Sequence, residues 1–137
     1  MLNEVISHLK EQTDFSILFA EDEEMIRRPM LSLIQRICPN TLAASDGTEA
    51  WELYQKNHFT IVITDLMMPN TNGAQLIQYI RHKNPNQIII VLTAYKDSDI
   101  LIEAQSYGID YLLSKPLSLS SFINVMEDIS DKMDVKH

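Results

Sequence analysis

The 137-residue sequence contains one cysteine, three glycines and no long hydrophobic run. Cys38 has no partner for an internal disulfide, which excludes a small disulfide-stapled domain. So few glycines exclude a flexible glycine-rich linker, and no second domain is predicted. The longest aliphatic stretch, Ile88 to Leu92, is far shorter than the roughly 20 residues of a membrane span. Charged residues interrupt residues 1–14 too often for a signal peptide, so we expect a cytoplasmic protein with no membrane association.

Positive charge is also scarce. Lysine and arginine together number 11 and aspartate and glutamate 19, which gives a formal net charge of −8. A field of this sign repels phosphate backbones, so direct contact with nucleic acid is disfavoured. Apolar residues make up 45% of the chain, a normal fraction for a globular domain with a buried core. Length and composition together predict one soluble domain.

Apolar runs alternate with amphipathic stretches along the chain. This alternation predicts an α/β fold with a doubly wound parallel sheet that is covered by helices on both faces. The predicted strands are Ser16–Ala20, Thr41–Ala44, Thr60–Thr64, Gln87–Thr93 and Ile109–Leu113.

The stretches between the strands have helical spacing of their apolar residues. Pro29 predicts a kink or an irregular first turn in the first helix, because proline lacks the amide hydrogen and clashes with the preceding turn. Asp46 and Asn72 are predicted to cap the second and third helices. The fourth is predicted from about Asp97 to Tyr107, ending at Gly108. A fifth helix closes the domain.

Residues 1–14 precede the first strand. Their apolar residues recur at helical spacing and predict an extra N-terminal amphipathic helix, which we expect to pack on its own domain rather than on a partner. The predicted organisation is therefore an N-terminal extension over residues 1–14, one domain over residues 15–134 and a tail over residues 135–137. The apolar residues of the extension are Leu2, Val5, Ile6 and Leu9.

Charged and hydroxyl groups follow the predicted strands where each strand ends. In a parallel sheet with right-handed crossovers, Glu21, Asp22, Asp65, Thr93 and Lys115 all emerge at one edge. Three carboxylates this close repel one another, and a hard cation such as Mg²⁺ relieves the repulsion with oxygen ligands. An aspartate carboxylate is an established nucleophile in phosphoryl transfer. Lysine and threonine side chains can bind the transferred group.

Four stretches occur in order along the chain and together cover about residues 15 to 134. These stretches are Ile17–Glu24, Thr64–Pro69, Val91–Ala94 and Ser114–Pro116. On this ordered set, the chain resembles the receiver domains of two-component response regulators, such as chemotaxis regulators.

The resemblance implies a flavodoxin-like sheet with strand order 2-1-3-4-5 and phosphorylation of Asp65 by a phosphohistidine donor. The donor would be a sensor histidine kinase or a histidine phosphotransfer protein. The resemblance also implies Mg²⁺ as cofactor, with Asp22, Asp65 and the backbone carbonyl of Met67 as ligands and Glu21 nearby or bound through water. The resemblance implies a signalling domain rather than an enzyme: its only catalysis would be its own phosphorylation and slow dephosphorylation.

The same resemblance assigns switch roles to Thr93 and Lys115, and it implies a cis peptide bond before Pro116 that aims the lysine into the site. Phosphorylation would then alter a protein-interaction surface formed by the fourth helix, fifth strand and fifth helix, and dimerisation is one possible result. The downstream partner would be a separate protein or an output domain of a longer regulator.

The sequence departs from the family pattern at two places. Leu112 occupies the switch position where the family usually has an aromatic residue, and Tyr111 should point to the opposite face of the strand. Met67 and Tyr95 place bulky side chains near the phosphoryl site, where they would hinder an attacking water. We therefore expect a long-lived aspartyl phosphate.

Two alternatives remain open. A receiver-like interaction module that is never phosphorylated fits the substitution at Leu112 but not the intact set of site residues. An aspartyl-phosphate phosphohydrolase of the haloacid-dehalogenase type would carry Asp-x-Asp after its first strand. Here the corresponding stretch, Asp65-Leu66-Met67, follows the third strand and has methionine at the second aspartate position.

Overall fold

The computed structural model describes Glu4, residues 15–94 and residues 98–135. Several sequence predictions lie outside this part of the chain: the helix over residues 1–14 apart from Glu4, the role of Tyr95, the helix start at Asp97, and residues 136–137 of the tail.

Five parallel strands form a single sheet in the order β2-β1-β3-β4-β5, which confirms the predicted flavodoxin-like fold. Apolar residues dominate β1, β3 and β4, as expected for strands covered on both faces. The strands are β1 (Ile17–Ala20), β2 (Thr41–Ala44), β3 (Ile61–Asp65), β4 (Ile88–Thr93) and β5 (Tyr111–Ser114).

The predicted strand boundaries need correction at most strand starts. Ser16 and Thr60 bind each other through their hydroxyls: each backbone N–H donates to the other residue's side-chain oxygen at 3.1 Å. β5 begins at Tyr111 rather than Ile109. Just before it, the Asp110 side-chain carboxylate, rather than a backbone carbonyl, accepts the hydrogen bond from the Ile89 N–H at 2.8 Å. At the other end, Asp65 is the last residue of β3 rather than the residue after it.

Five helices in the described residues alternate with the strands. Asp46, Asn72 and Ser98 cap α2, α3 and α4 by accepting backbone N–H bonds, and Asn72 forms a full capping box with Gln75. The predicted Pro29 irregularity does not divide α1, which runs continuously through this residue. The helices are α1 (Glu24–Gln35), α2 (Gly47–Lys56), α3 (Gly73–Lys83), α4 (Asp99–Tyr107) and α5 (Leu119–Val135).

Two apolar cores lie on the two faces of the sheet. One joins the sheet to α1 and α5, with Phe19, Ile34 and Phe122 fully buried. The other joins it to α2, α3 and α4. Within β5, Tyr111 packs against the first core and Leu112 against the second, which confirms that these neighbours point to opposite faces.

In the described ranges, no helix combines the length and the apolar character needed to cross a bilayer.

Candidate functional site

The predicted site residues converge at the carboxyl edge of the sheet because the strands are in register. Ala20 pairs with Thr64 in the β1–β3 ladder, and Thr93 pairs with Ser114 in the β4–β5 ladder. The Lys115 N–H continues the last ladder by donating to the Thr93 carbonyl at 3.1 Å. Glu21, Asp65, Thr93 and Lys115 therefore leave four adjacent strands at the same level.

Lys115 joins two of the carboxylates. Its Nζ lies 2.6 Å from Glu21 Oε1 and 2.9 Å from Asp65 Oδ2. The Glu21 side chain is fully buried, and the side chains of Asp65 and Lys115 are 8% and 12% exposed. Buried groups of opposite charge are screened little by solvent, so the ammonium and the two carboxylates form one coupled cluster.

Burial and charge shift the pKa values in this cluster. Burial raises the pKa of Glu21 above its ordinary value of 4.5, and the hydrogen bond from Lys115 opposes this shift. Burial acts to lower the pKa of Lys115, but hydrogen bonds to Glu21 and Asp65 outweigh it and hold this pKa above 10.5. The lysine is therefore charged at neutral pH.

Asp65 is oriented by the backbone around it. Its Oδ1 accepts a hydrogen bond from the Leu66 N–H at 2.7 Å, which leaves Oδ2 for Lys115. Gly73 begins α3 directly against this segment and donates its N–H to the Leu66 carbonyl at 2.9 Å. A Cβ at position 73 would lie 2.2 Å from the Asp65 carbonyl oxygen, so this close approach requires glycine.

The three carboxylates fit a divalent cation. Glu21, Asp22 and Asp65 each offer an oxygen, and these atoms all lie within 4.8 Å of one another. Glu21 Oε1 is buried and has no donor among the described residues other than the Lys115 ammonium at 2.6 Å, so a lone pair remains for a cation. Carboxylate oxygens in a partly open cleft are the ligands that Mg²⁺ prefers. The residues present therefore suit this ion.

A cavity of about 310 Å³ opens over Asp65 and Lys115. Met67, predicted to supply a backbone ligand, lines this cavity and has 52% of its surface exposed. Its metal-binding role stays a prediction. The other lining residues are Glu23, Ile26, Ala94 and Pro116.

The remaining predicted residues surround this centre. Thr93 ends β4 and is almost fully buried, at 2% exposure. The Lys115–Pro116 peptide bond is cis, as predicted. Leu112 is half-buried and packs with the α2, α3 and α4 core, whereas Tyr111 donates its hydroxyl hydrogen to Asp128 of α5. The roles of Thr93, Leu112 and Lys115 as switch residues stay predictions.

Sequence reasoning missed two residues at the site. Arg27 donates from Nη1 to the backbone carbonyls of Glu21 and Asp22, at 2.9 and 3.1 Å. Nothing in the local sequence distinguishes it from the adjacent Arg28. Gly73 could have been suspected, since it is one of only three glycines and follows the predicted Asn72 cap.

The fold and the site define a class of protein: a flavodoxin-like α/β domain with clustered carboxylates and a lysine at the carboxyl edge of its sheet. A family model of the response regulator receiver domain matches residues 17–127. The chain therefore belongs to the response regulator receiver domain family.

Individual relatives agree with this assignment. The chain is 32% identical over 121 residues to the uncharacterized transcriptional regulatory protein YesN of Bacillus subtilis, covering 84% of this chain and 32% of YesN. It is 32% identical over 102 residues to the response regulator protein PilR of Pseudomonas aeruginosa, covering 74% of this chain and 23% of PilR. The chain thus spans about a third or less of the length of these two relatives.

Solved structures show the same fold. The receiver domain of AraT, a response regulator from Geobacillus stearothermophilus, superposes with a TM-score of 0.77 at 30% identity, covering 90% of this chain and 98% of that one. A response regulator receiver domain protein from Clostridium thermocellum gives a TM-score of 0.79 at 26% identity, with 90% and 99% covered.

Proposed function

We propose that this receiver domain accepts a phosphoryl group on Asp65 from a phosphohistidine donor. The observation that carries the proposal is the joint contact of Lys115 with Glu21 and Asp65, beneath a cavity that opens over the acceptor. The donor would be a sensor histidine kinase or a histidine phosphotransfer protein. Membership of the family supports this assignment, and the intact set of Asp22, Asp65, Thr93 and Lys115 favours it over an inert receiver-like module.

The transfer breaks one bond and forms another. A carboxylate oxygen of Asp65 bonds to phosphorus while the bond between phosphorus and the histidine nitrogen breaks, and the electron pair stays on the imidazole. The Leu66 N–H fixes the carboxylate by holding Oδ1. Lys115, which pairs with Oδ2 before transfer, supplies positive charge for the phosphoryl oxygens afterwards. The Thr93 hydroxyl is the proposed hydrogen-bond donor to the product.

The proposed metal is Mg²⁺, held by Asp22, Asp65 and the Met67 carbonyl, with Glu21 nearby. When bound, it supplies charge that offsets repulsion between these carboxylates and an anionic donor. Glu21 is the least solvated of the group, and its pKa is raised by burial. A cation close to it would lower that pKa and favour the carboxylate form.

Phosphorylation is proposed to act through a surface formed by α4, β5 and α5. Leu112 packs towards α4 and Tyr111 towards α5, so β5 contacts both sides of this surface. The domain is proposed to work in the cytoplasm on a downstream protein, or on an output domain of a longer regulator, and a phosphorylation-dependent dimer is one form that the response could take. A leucine at position 112 would have to transmit the change without an aromatic ring.

Intact-mass spectrometry tests phosphorylation. The protein is incubated with Mg²⁺ and acetyl phosphate, and the expected result is a gain of one phosphoryl group. Asp65→Asn should abolish the gain, and chelation of Mg²⁺ should strongly reduce it. No gain in the wild-type protein would instead support the inert module. A gain that persists in Asp65→Asn would place the phosphoryl group on another residue.

A further inference from the structure

The loop between β1 and α1 carries both Glu21 and Asp22 but lacks the usual device that fixes a helix start. The N-cap of α1, Glu23, makes no side-chain capping bond, whereas Asp46, Asn72 and Ser98 cap the next three helices. No proline restricts the backbone of the loop, Glu21-Asp22-Glu23. Its conformation must therefore be held by other contacts.

Arg27 provides such contacts from the first turns of α1. Helical side chains tilt towards the N-terminus, so this guanidinium reaches back over the loop. Nη1 donates to the Glu21 carbonyl at 2.9 Å and to the Asp22 carbonyl at 3.1 Å. The two acceptors belong to consecutive residues whose side chains form the carboxylate cluster. The Glu21 side chain makes two further contacts: its Oε2 accepts from the Glu23 N–H at 3.1 Å, and its Oε1 pairs with Lys115 at 2.6 Å.

We propose that Arg27 is a positioning residue for the cation site: it clamps the backbone of Glu21 and Asp22 so that their carboxylates meet Asp65. This inference rests on the proposed Mg²⁺-dependent function. The guanidinium touches neither the reacting atoms nor a carboxylate of the cluster and acts only through the loop backbone.

Charge and position predict opposite effects of removing Arg27, which makes the proposal testable. A cationic guanidinium near the site repels Mg²⁺, so its loss through charge alone would strengthen Mg²⁺ binding. Loss of its hydrogen bonds to the loop backbone would instead weaken Mg²⁺ binding, because the carboxylates would no longer be held together before the ion arrives. Loss of an outer contact around a metal site typically lowers affinity about 10- to 100-fold.

The adjacent arginine is a matched control. Within the described part of the chain, Arg28 makes one side-chain contact, an exposed ion pair with Glu24 at 3.1 Å with side-chain exposures of 80% and 61%. Arg27→Gln and Arg28→Gln therefore remove the same charge one residue apart. Arg27→Lys keeps the charge but replaces the planar guanidinium with a compact ammonium that does not reproduce its geometry.

The experiment measures the Mg²⁺ dissociation constant of each protein by amide chemical-shift titration, together with amide hydrogen exchange of residues 21–23 without Mg²⁺. We expect Arg27→Gln to weaken binding roughly 10-fold, at the lower end for outer contacts because Glu21 keeps its contacts with the Glu23 N–H and with Lys115. Arg27→Lys should also weaken binding, and both variants should exchange faster in the loop. Arg28→Gln should behave as wild type in both measurements.

Unchanged or tighter binding in Arg27→Gln, with normal binding by wild type, would overturn the positioning role alone. An Arg27→Gln variant with no cooperative melting transition would also overturn it, since Arg27 would then support the fold as a whole. Failure of the wild-type protein to bind Mg²⁺ would overturn the metal part of the proposed function, and this inference with it.

Discussion

Replacement of Lys115 by methionine removes the cation that contacts both Glu21 and Asp65. Glu21 is fully buried, so Lys115→Met leaves its charge without a partner in the interior. Removal of one partner of a buried ion pair typically costs about 3 to 5 kcal/mol. We expect a loss of about 3 kcal/mol in the free energy of unfolding near neutral pH, at the lower end because Lys115 is 12% exposed and Glu21 can take up a proton.

The loss should depend on pH, with a sign fixed by the two pKa shifts. Lys115 has a raised pKa, so its contribution is complete below its ordinary 10.5 and is lost only as the pH rises through the higher folded value. Glu21 also has a raised pKa, so stability falls as the pH rises from 4.5 through its folded value. Without Lys115 this folded pKa rises further. The stability difference between wild type and variant should therefore grow from about pH 5 to about pH 7.5.

Urea denaturation at both pH values, followed by circular dichroism, measures this difference. Lys132→Met is the control, because Lys132 makes an exposed ion pair with Asp128 and its removal should change stability little at either pH. Added Mg²⁺ should stabilise Lys115→Met more than wild type, since no ammonium competes for the carboxylates. Equal stability of Lys115→Met and wild type, or a loss that shrinks as the pH rises, would refute the reasoning.

Two further predictions concern the surroundings of Asp65. Gly73→Ala places a Cβ 2.2 Å from the Asp65 carbonyl oxygen, a backbone clash that should cost about 1 to 3 kcal/mol in urea denaturation and slow phosphorylation by acetyl phosphate. Gly108→Ala is the control: the φ of +99° at this position strains any alanine placed there, but phosphorylation should be unchanged. Equal slowing of phosphorylation in the two variants would contradict a local effect of Gly73 on Asp65. Met67→Ala should shorten the lifetime of the aspartyl phosphate, followed by intact mass, because it opens the cavity to water; Met25→Ala, at another exposed methionine, should leave the lifetime unchanged. Loss of the phosphoryl group within seconds in the wild-type protein would refute the shielding by Met67.

The fold was predictable because the three central strands, β1, β3 and β4, bury almost every side chain. Ile61 to Ile63 and Ile88 to Leu92 are apolar without alternation, a pattern that a parallel sheet covered on both faces requires. Strand starts were less predictable. Ser16 and Thr60 satisfy each other's backbone through their hydroxyls, an arrangement between residues 44 positions apart that no local pattern records.

The members of the site were predictable from strand ends, but their pairings were not. Asp65 and Lys115 each follow an apolar run, so topology alone brings them to one edge. The complete burial of Glu21 and its ion pair with Lys115 depend on packing across four strands. The contact from Arg27 depends on a side-chain direction, since Arg27 and Arg28 are equivalent in the sequence.

Direct localisation of the phosphoryl group tests the central claim. The protein is phosphorylated with acetyl phosphate and Mg²⁺ and then treated with borohydride, which reduces an acyl phosphate to an alcohol, and peptide mass spectrometry finds the modified residue. Reduction at Asp65, absent when acetyl phosphate is omitted, is the predicted result. An unmodified Asp65 in protein that has gained a phosphoryl group, or reduction at Asp22 or Glu21 instead, would contradict it.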